Sequence, residues 1–268
     1  MTQALKDQAQ FLRAEDLGGL ELLQARYHRQ RFSRHSHEGY TIGLIERGAQ
    51  QFYRSGGNHI APVGSIILVN ADQVHDGHTA TEDGWAYRAI YPLPDMFSAV
   101  GKVPYFPEPV IEDAYLAGRL HHLFGVLERS DNTLERETLL MVVLSELSVR
   151  QGKTRRDLPS IAPAPQAVRQ VRAYLDAHAT ENVSLKTLSA LAGLTPFHLA
   201  RLFQRSVGLP PHAYQVQRRI QKAKSLMRLG VGLADVAADC GFTDQSHLTR
   251  HFKRVMGVTP GIYLQHSG

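Results

Sequence analysis

One cysteine, Cys240, occurs in 268 residues. A single thiol excludes an intramolecular disulfide framework and fits a reducing compartment. Long apolar runs are missing too: none approaches the ~20 residues of a membrane-spanning helix. The N-terminus, MTQALKDQAQFLRAEDLGG, lacks the basic start, apolar centre and small-residue cleavage site of a secretion signal. These absences point to the cytoplasm and to no membrane partner. Acidic residues are scarce in one region. Residues 166–268 hold 5 Asp/Glu against 13 Lys/Arg, whereas the first 165 hold 20 against 17. A basic C-terminal third beside a mildly acidic remainder suits a polyanionic partner, with a solvated basic surface as the plainer explanation.

The length is comfortable for two domains, and 43% hydrophobic residues is ordinary for a packed protein. Residues 20–92 read as short strands. EGYTIGLIERGAQQFYRSGG is rich in β-branched and aromatic residues and ends on a Gly-Gly turn. HIAPVGSIILVNADQVHDGH adds a Pro-Val-Gly turn and the buried strand SIILVN, and GWAYRAIYP closes the series. Such a run suggests an antiparallel sandwich or small barrel, over about residues 20–110. Two helical patterns follow, at 112–129 and 133–150. In the second, Leu139, Val142, Val143, Leu147 and Val149 leave one side apolar, able to cover the barrel or to dimerise. QGKTRRDLPSIAPAPQ, residues 151–166, is a Pro-rich, charged linker, and beyond it the pattern is helical.

The helical region repeats itself. Gly193 and Thr195 match Gly241 and Thr243 at an offset of 48. After one inserted residue, Leu199, Arg201, Phe203, Arg205, Gly208, Pro211 and Tyr214 match Leu248, Arg250, Phe252, Arg254, Gly257, Pro260 and Tyr263 at an offset of 49. Each unit, at about 184–206 and 232–256, reads as a short helix, a glycine turn and a second helix. Asp244 is a suitable N-cap for the later second helix, as Thr195 before Pro196 is for the earlier one. A turn of 100° per residue from Leu248 puts Phe252 and Val255 on the buried side. Ser246, Arg250 and Lys253 then lie opposite, flanked by His247, Thr249 and Arg254, with Gln245 at the helix start. Around Leu199, Phe203 and Val207, the outward set is His198, Arg201 and Arg205, flanked by Phe197 and Gln204. These faces suit the major groove of double-stranded DNA, where Arg reads guanine and Gln reads adenine while Lys253 and Arg254 meet phosphates. Ordinary polar helix faces are the competing explanation. The repeat, the basic balance and the turn chemistry together outweigh it. A helix from Pro211 to Leu229 joins the units.

VAADCGFTDQSHLTRHFKRVMGVTPGIY closely resembles the signature of AraC/XylS-type bacterial transcription regulators, and SLKTLSALAGLTPFHLARLFQRSVGLPPHAYQVQRRIQKAKSLM resembles the first unit of their DNA-binding domain. The N-terminal region looks, more loosely, like their cupin-type effector domain. The resemblance implies an α+β chain of two domains. Residues 1–150 would form an antiparallel β-barrel with trailing helices, for effector binding and dimerisation. Residues 167–268 would form an all-α DNA reader. It implies DNA contacts through Phe197, Ala200 and Arg201, and through Gln245, Ser246, His247 and Arg250. It also implies a homodimer, a small-molecule effector, and activation through RNA polymerase.

RHSHEG and VHDGH hold His35, His37, His75 and His78. Positions i and i+2 share one face of a strand, so His35 and His37 can point together into the barrel and meet His75. Three imidazoles suit Zn, Fe, Ni or Cu. The spacing resembles cupin metal motifs, except that Thr41 stands where a Glu usually completes the set. Tyr40, Trp85, Tyr87 and Arg88 are candidates for the wall of an effector pocket with these histidines. The expectation is a regulator rather than an enzyme, with no required cofactor. A metal-dependent enzyme or metal sensor fused to a DNA reader is the alternative, and a barrel used only for dimerisation is a third.

Overall fold

The structure, a computed structural model, describes residues 7–99, 102–153 and 165–265. They divide into two compact units, a β-rich one built mainly from residues 7–153 and a helical one built mainly from residues 165–264. Most of the expected linker, residues 154–164, lies outside the described residues.

Among its described residues the first unit contains nine strands: β1 (Gln8–Ala14), β2 (Leu20–Tyr27), β3 (Arg31–His35), β4 (Thr41–Arg54), β5 (Gly57–Pro62), β6 (Ile66–Val69), β7 (His75–Thr79), β8 (Trp85–Tyr91) and β9 (Val110–Ile111). One path runs β1-β2-β8-β4-β6-β9, while β5 and β7 pair with β4, and β3 pairs with β7. The long β4 belongs to two antiparallel layers. Thr41–Leu44 pairs with β6 and Ile42–Gly48 with β8, whereas Ala49–Arg54 pairs with β5 and, in part, with β7. The register shifts between Ile45 and Arg47. A bulge there bends the strand and lets it cross from one layer to the other.

Side-chain alternation then separates two faces. Leu20, Leu22, Ile42, Leu44, Ile66, Leu68 and Ile90 share a core with α2 (Ala114–Arg129) and α3 (Thr133–Gln151), after the short α1 (Pro94–Ala99). The helices contribute Leu116, Leu120, Leu123 and Phe124, then Leu140, Val143, Leu144 and Leu147. Each such side chain, fully buried, contributes about 1.5–3 kcal/mol. The buried set on α3 follows the i, i+3, i+4, i+7 spacing of one helical face. The expected set was rotated: Leu139 packs at the margin, while Val142 and Val149 are exposed, Val149 at 81%. The strand series also begins earlier than expected, because β1 is a polar edge strand paired with β2.

In the second unit, α4 (Gln166–Ala177) precedes α5 (Leu185–Ala192), α6 (Pro196–Val207), α7 (Pro211–Arg228), α8 (Leu233–Asp239), α9 (Gln245–Met256) and α10 (Pro260–Gln265). The repeat is present in the geometry. Thr195 caps α6 by accepting from the His198 N–H at 3.3 Å, and Asp244 caps α9 by accepting from the His247 N–H at 2.7 Å. Gly193 and Gly241 turn the chain at φ 63° and 73°, and Gly208 and Gly257 end the second helices at 85° and 78°. Packing repeats as well. Phe203 meets Tyr214 edge-on at 5.7 Å, and Phe252 meets Tyr263 edge-on at 5.5 Å.

Arg219 on α7 clamps the second turn. Its guanidinium donates to the carbonyls of Ala179 (2.8 Å), Glu181 (2.8 Å) and Gly241 (2.6 Å). A Cβ at Gly241 would overlap the Thr180 carbonyl and press on Arg219, whereas one at Gly193 or Gly261 meets nothing within 4 Å. Alanine scanning of these glycines should therefore give a ranked series in urea denaturation. Gly241→Ala costs most, combining overlap with a left-handed backbone. Gly193→Ala costs only the backbone strain of about 1–2 kcal/mol. Gly261→Ala, inside α10, is neutral or stabilising by up to about 1 kcal/mol. Equal losses at Gly241 and Gly193 would contradict the clamp.

Candidate functional site

The two second helices, α6 and α9, are amphipathic. Leu199 and Phe203 anchor α6, and Leu248, Phe252 and Val255 anchor α9. On α6, Phe197, His198, Arg201, Gln204 and Arg205 are exposed and Ala200 is half-buried. Phe197 is 72% exposed, and the Arg201 guanidinium lies 5.4 Å from its ring centre. On α9, Gln245, Ser246, Arg250, Lys253 and Arg254 are exposed, while His247 and Thr249 are half-buried. Gln245 is thus freer than its angle on the helical wheel suggests, because it begins the helix.

His247 is tied into the turn. Its Nδ1 accepts from the Thr243 N–H at 3.2 Å, and its ring meets Phe242 at 5.5 Å and His251 at 4.7 Å. His251, which sequence reasoning passed over, is held down to a pKa of about 4 by burial first and then by His247, Arg254, His212 and Arg250. It is neutral at physiological pH and adds no charge beside the basic face.

In the β-rich unit the histidines converge. One ligand nitrogen from each of His35, His37 and His75 lies within 4.8 Å of the others. His35 ends β3 and His75 begins β7, two strands that pair. The His37 ring lies 5.2 Å from that of His75 and 5.0 Å from that of Tyr91. His78 is not part of this group. Trp85, Tyr87 and Tyr91 alternate along β8 on the same face. Tyr27 joins them, 5.2 Å from Trp85 and 6.3 Å from Tyr87. Burial raises the pKa of Tyr27, Tyr87 and Tyr91, so all three keep their phenolic protons at neutral pH. Five buried polar atoms find no hydrogen-bond partner among the described residues; Arg136 Nε lies in an ion pair with Asp16, and the other four are the Tyr27 hydroxyl, the Thr41 hydroxyl, Gln50 Oε1 and Trp85 Nε1. Alternation puts Thr41 opposite Ile42, on the inner face. Partnerless buried groups are what a polar ligand site presents before its ligand arrives.

Two expected wall residues lie on the other side of the sheet. Tyr40 packs on Phe97 and Phe106, and its hydroxyl, with a pKa raised by burial to about 12, donates to the Pro104 carbonyl at 2.6 Å. Arg88 follows Tyr87 and so points outward, where it pairs with Glu46 (2.5 Å) and Glu128 (3.2 Å) and lies 4.9 Å over Phe124. Sequence reasoning missed Tyr27, Gln50 and Tyr91. Tyr91 shares the period-2 spacing of Trp85 and Tyr87, while Tyr27 is placed by pairing with Trp85, which sequence does not display.

Residues 17–144 match a family described as the AraC-like ligand binding domain, and residues 188–266 match a helix-turn-helix domain. The uncharacterised HTH-type transcriptional regulator YbfI of Bacillus subtilis is 32% identical over 226 residues, 82% of either chain. The chain belongs to the AraC family of transcription regulators. The HTH-type transcriptional activator RhaS of Salmonella typhimurium is 24% identical, covering 85% of this chain and 86% of that one. A crystal structure of ToxT from Vibrio cholerae O395 shares the two-domain fold at a TM-score of 0.55 and 15% identity, with 97% of both chains covered. The β-rich unit is therefore a ligand-binding domain and the helical unit a DNA-binding domain. The α+β architecture, the paired helix-turn-helix units and the regulatory role all agree with the sequence reading.

The His251 environment is open to titration. In NMR its imidazole should titrate near pH 4, against about 6.5 in a denatured chain. The folded pKa is the lower one, so the unfolded chain takes up this proton first on acidification. Its contribution to stability is complete above pH 6.5 and declines as pH falls towards 4. A midpoint near 6.5 in the folded protein would contradict the packing described.

Proposed function

We propose that the protein is a cytoplasmic, dimeric transcription activator whose two recognition helices read double-stranded DNA under the control of a small molecule bound in the β-sandwich. The duplicated helix-turn-helix, with its outward basic face, carries the reading. The direct readers are Phe197, Ala200 and Arg201 on α6, with His198 beside them, and Gln245, Ser246, His247 and Arg250 on α9. Phe197 offers an apolar surface for a thymine methyl, and Arg250 offers two donors to a guanine edge. Gln204, Arg205, Thr249, Lys253 and Arg254 serve the backbone. The joining helix has 18 residues, about 27 Å at 1.5 Å per residue. Successive major-groove faces lie about 34 Å apart, so the two units take adjacent grooves with some bending of the duplex.

Activation, which in this reading runs through contact with RNA polymerase, is in keeping with the activator named among the relatives, whose name speaks to activation alone. A crystal structure of ToxT with a bound unsaturated fatty acid supports effector control within this fold. In this chain, the effector pocket comprises Tyr27, Gln50, Trp85 and Tyr87, with the three histidines at one end. Binding acts by favouring one of two states of the regulator. The relatives are regulators, which favours a signalling role over catalysis.

Mobility shifts on DNA upstream of the protein's own coding sequence test the readers. Arg250→Ala should weaken binding by about 1–3 kcal/mol and relax preference at one base pair. Lys253→Ala should weaken all sequences alike and reduce the salt slope by about 1. Unchanged affinity and preference in Arg250→Ala would remove it from the groove. For the pocket, a small-molecule thermal-shift screen should yield ligands that raise the melting temperature by mass action. Trp85→Phe and Gln50→Leu, which remove unpartnered polar atoms, should lower that response. A response indifferent to both would place the pocket elsewhere.

A further inference from the structure

The geometry points to a binding site for one divalent transition-metal ion, of the Zn2+, Co2+ or Ni2+ class, formed by His35, His37 and His75. The inference concerns the ligand-binding domain alone and stands whether or not the assigned DNA contacts are right.

Convergence is the first observation. Ideal tetrahedral or octahedral coordination at about 2.0–2.1 Å separates ligand nitrogens by roughly 3.0–3.4 Å. The three histidines already hold one nitrogen each within 4.8 Å of the others. From that limit, closure of at most about 1.4–1.8 Å, shared among three side chains, completes the coordination distances. Two of the three have restricted freedom: His35 is 3% exposed and His75 7%.

Orientation is the second. His35 Nδ1–H donates to the Ser33 carbonyl at 2.7 Å, and His75 Nδ1–H donates to the Gln73 carbonyl at 3.1 Å. A carbonyl can only accept, so in each neutral ring the lone pair is left on Nε2. Metal-ligating histidines are typically held this way, by a hydrogen bond from the other nitrogen to a carbonyl or carboxylate. The Gln73 carbonyl is itself well fixed. The Gln73 side chain accepts from Arg54 Nε at 2.7 Å and Asn70 Nδ2 at 3.0 Å, and donates to Ser55 Oγ at 2.6 Å. Arg54, fully buried, donates in turn to the carbonyls of Leu68 (2.7 Å) and Phe106. A rigid polar layer thus stands behind one of the ligands.

The donor set decides the class of ion. Three imidazoles with no carboxylate in the group suit borderline transition metals and disfavour Mg2+ and Ca2+, which take oxygen ligands. Three protein ligands leave at least one coordination position for water or an exchangeable ligand. The site lies at one end of the aromatic row that continues through Tyr91 and Tyr87 to Tyr27 and Trp85. An effector with an oxygen or nitrogen donor would then bind the ion and the row together.

Untagged, full-length protein stripped with a chelator is the material for the test. Calorimetry with Zn2+ and visible absorption with Co2+ should each show one equivalent bound per chain, and Mg2+ should show none. His37→Ala changes the most accessible ligand and is the least disruptive of the three. It should weaken Zn2+ binding by at least 10–100-fold, as the loss of even an orienting partner does. His78→Ala, on the same strand as His75, should leave binding unchanged. Circular dichroism confirms that each variant is folded, and should His37→Ala not fold, His37→Gln replaces it. A Zn2+-dependent rise in melting temperature should accompany binding in the parent and vanish in the variant. Absence of stoichiometric binding at micromolar Zn2+, or full retention in the folded His37 variant, overturns the proposal. Mobility shifts on the stripped protein report DNA reading separately, so either conclusion can fail without the other.

Discussion

Strand β4 is the constraint on which the ligand-binding domain depends. It hydrogen-bonds to β5, β6, β7 and β8, and among the described residues it is the strand whose pairings span both layers. The bulge between Ile45 and Arg47 makes that membership possible. Because side chains alternate along one strand, β4 sends Ile42 and Leu44 to the helix-covered core and Thr41 to the interior. β8 does the same, with Tyr87 inside and Arg88 gripping Glu128 on α2. The wall of the proposed pocket and the floor under α2 and α3 are therefore one backbone thick. A shift of Tyr87 moves the residue that carries Arg88, which is a direct physical route from interior to helices.

Constraint in the DNA-binding domain is unevenly shared. The two units have the same caps, turn glycines and edge-on aromatic pairs, yet their surroundings differ. Gly241 is pressed against the Thr180 carbonyl and held by Arg219, and Lys222 donates to the Asp239 carbonyl at 3.1 Å. Gly193 has open space around it. The second reader is therefore preformed, and its affinity need not be reduced by ordering the turn on DNA. The first reader carries its large exposed aromatic, Phe197, on a less buttressed turn. Duplicated sequence gave equal geometry in unequal surroundings, and the difference arises from Arg219 and Lys222, on the part of α7 beyond Tyr214 where the repeat ends.

What was legible in the chain follows the range of the forces involved. Caps and turn glycines act within four residues, so Thr195, Asp244, Gly193 and Gly241 declare their helices locally. The offset of 49 did the same for the aromatic pairs. Strand existence was legible from β-branched runs, but phase was not. Tyr40 and Arg88 look as suitable for a pocket as Trp85 and Tyr87 until pairing fixes which parity points inward. β1 escaped notice because an edge strand with one covered face keeps polar residues. On α3, Leu140 and Leu144 escaped because Val142 and Val149 are equally apolar and only the sheet beneath selects among them. The histidine triad was anticipated because His35 and His37 share strand parity and His75 is chemically distinctive. Tyr27 and Gln50, far apart in sequence and common in type, announced nothing.

The interior is also where the domain is least optimised for its own stability. A buried polar atom left without a partner costs about 1–3 kcal/mol, and four such atoms lie here: on Tyr27, Thr41, Gln50 and Trp85. None is found in the helical unit among the described residues. A sandwich selected only to hold a dimer together would fill these positions with aliphatic side chains and gain burial. Keeping hydroxyl, amide and indole groups at them makes physical sense if a ligand supplies the missing partners. The same deficit that weakens the free domain then becomes differential affinity. A molecule that satisfies those groups stabilises one arrangement of the sandwich over another, and that difference is all a regulator requires of its effector.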